Sequence, residues 1–268
     1  MRRALLALAL LLAFPAQAWA IYGGQEASQP YPFMASVQFK TGHWCGGTLI
    51  APQWVMTAKH CLIYVPDEPY RQAQPSDVTV RVGSLDRSSG GELVGVTEFR
   101  VHGLPIQPKP TDGQEIRGTD IALLKLAHPV SVQPARIASS PGGPDVRLLG
   151  WGYNCQHPRG HGCAPIPERL RELDTVTLPR EGCVSTKPGD SSIADKELCQ
   201  AATARGETVR PHDSGSPMLI RCGSDWLVIG VASGPVQQGA DAINGKGDGP
   251  NIYTDATAYR SWISSQIG

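Results

Sequence analysis

Short apolar runs that alternate with polar residues and end at glycine or proline limit what this chain can fold into. Thirty glycines and 23 prolines interrupt its 268 residues. Alternation with a period of two puts every second side chain on one face, which favours β-strands, while the frequent breakers disfavour long helices. The runs are 33–39, 48–58, 77–85, 91–103, 121–127, 145–152 and 225–233. The pattern predicts an all-β fold.

The C-terminal end follows a different pattern. Within 254–268, apolar side chains recur at helical spacing. Thr254 or Asp255 is suited to cap the start, because a side-chain oxygen there can accept from free backbone N–H groups. The apolar stripe consists of Tyr259, Trp262, Ile263 and Ile267. We therefore predict a C-terminal α-helix.

Residues 1–20 have the three regions of a secretory signal peptide: two arginines, an apolar run over 4–14, and small residues before a cleavage site. The run is too short to span a bilayer, and no later segment is long and apolar enough to do so. We expect a secreted protein, extracellular or periplasmic, with no membrane partner. Cleavage after Ala18 and cleavage after Ala20 both fit, and we hypothesise the second.

Charge and cysteine content narrow the class further. Residues 1–20 hold two of the 24 basic residues and none of the 24 acidic ones, so the mature chain would carry a net charge near −2. That balance gives no electrostatic basis for binding nucleic acid. Seven cysteines in an exported chain predict disulfides with one thiol left over.

Three short segments carry the residue types of nucleophilic acyl transfer. They supply His60 in "MTAKHC", Asp120 before an apolar run, and Ser214 in "HDSGSP". A serine hydroxyl is a weak nucleophile, so it needs a base within hydrogen-bond reach, and a buried carboxylate fixes the tautomer of that base. His60, Asp120 and Ser214 are therefore the candidate catalytic residues.

With these segments the sequence resembles the trypsin/chymotrypsin family of serine proteases, and the chain order His, Asp, Ser is the order of that family. The matching stretches are "IYGG" at 21–24, "WCGGTLIAPQWVMTAKHC" at 44–61, "DIALLKL" at 120–126, "GWG" at 150–152, "DSGSP" at 213–217 and "NIYTDATAYRSWI" at 251–263. Together they span the whole mature chain.

The resemblance implies two six-stranded antiparallel Greek-key β-barrels packed at a cleft, followed by the helix. The first, over 21–130, would carry the histidine and aspartate. The second, over 131–268, would carry the serine and the primary specificity pocket.

The resemblance also implies the disulfides Cys45–Cys61 and Cys183–Cys199. Cys155 and Cys163 are expected to be joined across the loop between them, which leaves Cys222 as the odd thiol. The loop adds His157 and His161, so its four side chains are also zinc-ligand types. Because exported thiols tend to oxidise, we favour the disulfide and expect neither a metal nor a cofactor.

Two further roles follow from the resemblance. A new N-terminal ammonium at Ile21 would pair with Asp213, and the backbone N–H groups of His212 and Ser214 would form the oxyanion hole. The family usually has glycine where this chain has His212. If that position needs a positive φ, a non-glycine residue costs about 1–2 kcal/mol. A flipped peptide that lost the donor would instead lower the rate by about 10²–10³-fold.

The specificity pocket is expected to be neutral. By resemblance its base is Thr208, and its walls are Ser233, Gly234, Pro235 and Asn251. A substrate cation would need an acid at the base. Glu207 could serve only if the loop were shifted by one residue, so an apolar or small polar substrate side chain is favoured over lysine or arginine. Arg210 replaces a cysteine that braces this pocket in relatives.

The sequence thus predicts a secreted, monomeric serine endopeptidase that cleaves peptides or proteins through an acyl-enzyme on Ser214. The alternative is a catalytically impaired homologue that acts as a secreted binding protein. His212 and Pro235 are the features that discriminate, because proline removes a backbone N–H from the strand that should pair with substrate.

Overall fold

The computed structural model of the protein describes residues 21–63, 71–103, 119–155, 165–183, 194–203, 206–235 and 250–268. The predicted signal peptide, 1–20, lies outside these residues. The strands are β1 (Gln25–Glu26), β2 (Met34–Phe39), β3 (Gly42–Ala51), β4 (Trp54–Thr57), β5 (Thr79–Val82), β6 (Glu92–Val101), β7 (Ala122–Leu126), β8 (Arg136–Ile137), β9 (Asp145–Gly150), β10 (Arg171–Leu178), β11 (Glu197–Gln200), β12 (Pro217–Cys222), β13 (Asp225–Pro235) and β14 (Asn251–Asp255). The 3-10 helices are Lys59–Leu62, Pro75–Asp77, Arg180–Gly182 and Ala256–Tyr259, and the helix α1 is Arg260–Ile267.

Strands β2 to β7 close into a barrel in the order β2-β3-β4-β7-β6-β5. Their alternate side chains face inward, so that Val37, Val80 and Leu124 are fully buried. The antiparallel pair β4–β7 sets Thr57 opposite Ala122. Since His60 follows β4 and Asp120 precedes β7, this register brings the two candidate residues to the same end of the barrel.

Strands β9 to β14 close into a second barrel. Its order, β9-β10-β11-β14-β13-β12 with β12 paired to β9, repeats the order of the first barrel. Strand β1 joins the edge of β10, and β8 pairs in parallel with β13. The predicted pair of six-stranded Greek-key barrels is confirmed, whereas the division of the chain at residue 130 remains a prediction.

The C-terminal helix is confirmed, but it begins later than the sequence pattern indicates. Strand β14 runs to Asp255 because its backbone pairs with both β11 and β13. The Asp255 carboxylate then accepts from the N–H groups of Thr257 and Ala258, which caps a 3-10 turn leading into α1. Tyr259 and Ile263 are buried, as the apolar stripe predicts.

The apolar core is continuous between the barrels. Trp151, Leu219 and Val228 of the second barrel belong to the same buried cluster as Val37 and Leu124 of the first. No helix in the part of the chain that the structure describes is long and apolar enough to cross a membrane.

Two predicted disulfides are present: Cys45–Cys61 with a Cα–Cα distance of 6.3 Å, and Cys183–Cys199 with 5.9 Å. Cys155 is also disulfide-bonded. Its predicted partner Cys163 lies outside the described residues, as do the two histidines of that loop. Cys222 is a free, exposed thiol, as expected.

Candidate active site

His60 and Asp120 meet at the end of the first barrel through two hydrogen bonds. The His60 backbone N–H donates to Asp120 Oδ1 at 2.9 Å, and Nδ1 lies 2.7 Å from Oδ2. A carboxylate can only accept, so Nδ1 carries the proton and Nε2 presents its lone pair. This is the tautomer that a general base requires.

The surroundings of His60 and Asp120 favour the charged form of each side chain. Burial lowers the pKa of His60, but the charge and hydrogen bond of Asp120 outweigh it, so the pKa lies above its usual value. Burial raises the pKa of Asp120, yet His60 and the Ser233 hydroxyl, which donates to Oδ2 at 2.6 Å, hold that pKa below its usual value. This lowered pKa keeps Asp120 an ionised carboxylate although the residue is only 1% exposed.

Ser214 lies on a tight turn that touches both barrels. Its carbonyl accepts from Gly46 N–H in β3 at 2.7 Å, and the next N–H, of Gly215, donates to Ala232 in β13 at 2.8 Å. Gly215 has a φ of +79°, and a Cβ there would lie 2.2 Å from Thr57 Oγ1, so only glycine fits. The turn thus seats Ser214 beside the segment that leads to His60.

The serine hydroxyl is not yet engaged with its candidate base. Among the residues that the structure describes, no hydrogen bond reaches Ser214 Oγ, and His60 Nε2 lies 3.9 Å from Cys61 Sγ. Such bonds are often long in substrate-free sites and shorten when substrate binds.

The backbone before Ser214 leaves two donors open. Asp213 N–H donates to Arg210 and Ser216 N–H to Asp213, both at 3.0 Å. Within the described ranges neither His212 N–H nor Ser214 N–H has an acceptor. Two open N–H groups flanking an occupied one can bind a single oxyanion.

His212 does adopt the left-handed conformation, with a φ of +76°. Its ring Nδ1 lies 3.1 Å from the Trp44 carbonyl oxygen, so Nδ1 carries the proton and donates. Burial lowers the pKa of His212, which keeps the ring neutral. A non-glycine residue is thus accommodated here with its side chain hydrogen-bonded to the first barrel.

A second histidine, His43, is hydrogen-bonded to the backbone of His212. His43 Nε2 lies 3.1 Å from the His212 carbonyl oxygen, which fixes that nitrogen as the donor. His43 Nδ1 then accepts from the Ser36 hydroxyl at 2.8 Å, and Ser36 accepts from Gln38 Nε2 at 3.0 Å. Burial, with a smaller effect of His212, lowers the pKa of His43 to about 3, so this chain of hydrogen bonds keeps one tautomer at neutral pH.

Asp213 is a buried carboxylate held by backbone. Its oxygens accept from Gly152 N–H at 2.6 Å and Arg210 N–H at 2.9 Å. A Cβ on Gly152 would lie 2.4 Å from the Asp213 carboxylate, so the close approach depends on that glycine. Burial raises the pKa of Asp213 to about 7, which means that the two N–H groups do not compensate its charge.

Ile21 is fully buried, in the same apolar cluster as Val209 and Tyr253. The charge of Asp213 acts on the Tyr253 hydroxyl of that cluster. The ion pair between Ile21 and Asp213 remains a prediction.

The predicted pocket residues form a neutral, closed hydrogen-bond chain. Asn251 Nδ2 donates to Thr208 Oγ1 at 2.6 Å, and the Thr208 hydroxyl donates to Gln200 Oε1 at 2.6 Å. Thr208 and Gln200 have no exposed surface, and Asn251 is 4% exposed. Gly234 and Pro235 end β13 and pair with Ile252 and Asn251 of β14.

Glu207 does not take the place of Thr208. Its side chain lies against Gly23, where an added Cβ would come within 2.0 Å of it, and its carboxylate accepts from Thr203 Oγ1 at 2.8 Å. Arg210 is buried, with its guanidinium 5.0 Å from the centre of the Tyr22 ring. Because Tyr22 also accepts from Thr208 N–H at 3.1 Å, Tyr22 braces the segment that lacks the bracing cysteine.

Sequence reasoning missed the residues that support this site. Gln200, His43 and Ser36 lie in no motif, and Tyr22 lies in the "IYGG" stretch, which gave no sign of its bracing role. The roles of these residues depend on contacts between distant segments. The one available signal was that polar residues, Ser36 and Gln38 in one predicted strand and His43 shortly after it, lie close together in the sequence. That spacing could have indicated a buried polar network.

Fold and site together define a two-barrel protein of the serine-protease type. A family model described as Trypsin matches residues 21–263. Hypodermin-A of Hypoderma lineatum is 30% identical over 253 residues, covering 91% of this chain and 86% of the relative. Trypsin of Phaedon cochleariae is 30% identical over 259 residues, covering 92% and 88%.

A solved structure agrees. Neuropsin, a serine protease expressed in the limbic system of mouse brain, superposes with a TM-score of 0.71 at 25% identity, over 92% of this chain and 100% of its own. The chain belongs to the trypsin family of serine proteases.

Proposed function

We propose that this protein is a secreted serine endopeptidase with His60, Asp120 and Ser214 as its catalytic residues. The observation that carries the proposal is the combination of a His60 tautomer fixed by Asp120 with two open N–H groups, His212 and Ser214, around the candidate nucleophile. These are the base and the oxyanion donors that acyl transfer requires.

The reaction runs in two stages. Ser214 Oγ attacks the peptide carbonyl carbon while its proton passes to His60 Nε2, and the negative oxygen binds the N–H groups of His212 and Ser214. His60 then gives the proton to the leaving amine as the C–N bond breaks, which leaves an acyl-enzyme. Water, deprotonated by His60, releases the acid and restores Ser214.

Maturation at Ile21 would complete the site. With a residue joined before it, Ile21 has a φ of +47°, a conformation that is strained for a β-branched side chain. A chain that begins at Ile21 has no preceding carbonyl and no such strain. Its new ammonium would also add a cation near the buried Asp213, whose charge the backbone donors and Arg210 do not offset. Both features support cleavage after Ala20.

The pocket supports a small, neutral acyl-side residue. Thr208 offers no charge, and its hydroxyl is occupied by Asn251 and Gln200. Because the wall residue Asn251 is hydrogen-bonded to the base, a long side chain cannot reach that base. Lysine and arginine would also find no acid to pair with.

The test is hydrolysis of a peptide series that differs only at the acyl-side residue, covering Ala, Val, Phe, Lys and Glu. We expect turnover to be highest for Ala and absent in Ser214→Ala, with Ser224→Ala, an exposed serine, as the matched control. Equal turnover in Ser214→Ala would exclude Ser214 as nucleophile. A folded protein that begins at Ile21 and cleaves none of the series would favour a secreted binding protein instead.

A further inference from the structure

The His212 side chain does more than replace a glycine hydrogen, because three separate hydrogen bonds hold this residue. Its own Nδ1–H donates to the Trp44 carbonyl, its carbonyl accepts from His43, and the preceding Pro211 carbonyl accepts from Tyr153 N–H at 3.1 Å. The partners lie on β3 and on the segment after β9. Both peptide groups that flank His212 are therefore fixed from different sides.

These bonds determine where the His212 N–H points. In a trans peptide the C=O and N–H groups point in opposite directions. Since Tyr153 holds the Pro211 carbonyl, the His212 N–H is directed away from Tyr153, and within the described residues it has no acceptor. A peptide flip that turned this donor away would break the Tyr153 bond.

The ring is also enclosed. Its centroid lies 5.5 Å from that of Trp44, 5.3 Å from that of Tyr153 and 6.3 Å from that of His43, with the first two near edge-to-face. Aromatic contacts of this geometry are favourable. Leaving the left-handed φ would therefore withdraw the ring from both the Trp44 carbonyl and the aromatic neighbours.

We propose that the His212 side chain is a positioning residue that holds its own backbone N–H in the oxyanion hole. A glycine at this position can adopt the required φ without strain, but it can leave that φ equally freely. Histidine accepts the strain of this φ, and the contacts of its ring then hold that conformation. The inference rests on the proposed function, because it needs a working oxyanion hole.

Two variants and one control test this role. His212→Gly removes both the strain and the ring, whereas His212→Asn keeps a side-chain N–H donor on a residue that tolerates positive φ. Lys196→Gly is the matched control, because Lys196 also has a positive φ, of +63°, away from the site. For each protein we would measure kcat and KM on a peptide amide, the inhibition constant of a peptide aldehyde, and Tm. The aldehyde adds to Ser214 Oγ and puts its oxygen in the oxyanion hole.

If His212 positions the oxyanion hole, His212→Gly lowers kcat by about tenfold or more. The upper limit is the ~10²–10³-fold that complete loss of one oxyanion donor costs. The variant weakens aldehyde binding by a similar factor. KM changes little, His212→Asn recovers most of the loss, and Lys196→Gly leaves kcat unchanged. A His212→Gly protein that equals or exceeds the natural chain in kcat and aldehyde affinity would overturn the proposal. So would a loss confined to KM, which would mean that the ring contacts substrate.

The two proposals fail in different ways. A natural chain that neither cleaves peptide nor binds aldehyde overturns the protease function, and with it the need for a positioned oxyanion hole. An active natural chain with an unaffected His212→Gly variant overturns only the positioning role.

Discussion

At the residue scale, the central feature of the site is the buried Asp120 carboxylate and the hydrogen-bond donors around it. Asp120 accepts from the backbone and ring of His60 and from the hydroxyl of Ser233, so all its bonds stabilise the ionised form. That charge keeps the pKa of His60 above its usual value. Activity that needs a neutral His60 should therefore be lost on acidification at a higher pH than for a histidine with an ordinary pKa.

Ser233→Ala tests this arrangement. Removing its donor bond concentrates more charge on the Asp120 carboxylate, which raises the pKa of His60 further. We expect the acid limb of the kcat–pH profile to move to higher pH and kcat to fall by about 10- to 100-fold, in line with one charge-assisted hydrogen bond of about 1.5–3 kcal/mol. Ser264→Ala, an exposed serine on α1, is the control. An unchanged acid limb would mean that Ser233 does not act on the pair.

The residues of the site differ in how far the sequence predicted them. His60, Asp120 and Ser214 lie in short motifs whose chemistry is legible from residue type. The sequence raised the possibility of a positive φ at His212. It could not predict how the side chain is accommodated there, because the Trp44 carbonyl is distant in the chain and comes near His212 only when the barrels pack together. Gln200 lies in no motif and could not be predicted, and the "IYGG" stretch that holds Tyr22 gave no sign of its contacts with Thr208 and Arg210.

At the element scale, two strand pairs place the functional groups. The β4–β7 pair brings His60 to Asp120, and the β13–β14 pair sets Pro235 opposite Asn251 at the pocket. Alternation predicted the strands of the first barrel well. It missed β10, β11 and β12, because their side chains include charges and cysteines that are buried by specific partners, such as Arg171 and Glu172 in β10. It also missed β14, whose last two residues fall in the segment with helical spacing.

In the proposed pocket, Asn251 at the start of β14 would set the depth, because it is hydrogen-bonded to Thr208. Asn251→Gly should deepen the pocket, so that kcat/KM for acyl-side Phe or Leu rises at least tenfold relative to kcat/KM for Ala. The reason is that filling an apolar pocket contributes about 1–3 kcal/mol for each added methylene group. The measurement is kcat/KM across the peptide series.

Thr208→Asp sharpens this test. In the Asn251→Gly background it should create a preference for Lys and Arg, because the base then carries an acid. Thr208→Asp alone should not, since Asn251 still blocks access. If Thr208→Asp alone accepts Lys and Arg, or if Asn251→Gly leaves the preference for Ala unchanged, Asn251 does not close the pocket.

At the scale of the whole molecule, the two barrels share one apolar core, and the N-terminal segment inserts into the second barrel at Ile21 and Tyr22. The sequence predicted the two-barrel architecture only through its resemblance to a family. Composition and periodicity alone reach an all-β fold, because barrel closure depends on pairings such as β9 with β12 that no local pattern encodes.

The state of Ile21 should control how stability depends on pH. In a chain that retains Ala20, the pKa of Asp213 is raised to about 7 from an ordinary 3.8. The contribution of protonated Asp213 to the free energy of unfolding is therefore fully present below about pH 4 and is lost as pH rises through 7. A shift of this size corresponds to roughly 4 kcal/mol. A chain that begins at Ile21 should not show this loss, because its ammonium favours the ionised carboxylate.

Urea unfolding of both chains from pH 4 to pH 8 measures the difference. Asp213→Asn in the chain that retains Ala20 is the control, since it removes the titrating group and should flatten the profile. Identical pH profiles for the two chains would contradict the pairing of Ile21 with Asp213.

The most direct test of the account is the intact mass of the secreted protein before and after reaction with a fluorophosphonate, whose phosphorus bonds to an activated serine oxygen as fluoride leaves. The account predicts a chain that begins at Ile21 and gains one adduct, which is located on Ser214 and absent from both Ser214→Ala and His60→Ala. A folded chain that begins at Ile21 and gains no adduct would contradict it, because the base and oxyanion donors around Ser214 would then not activate it.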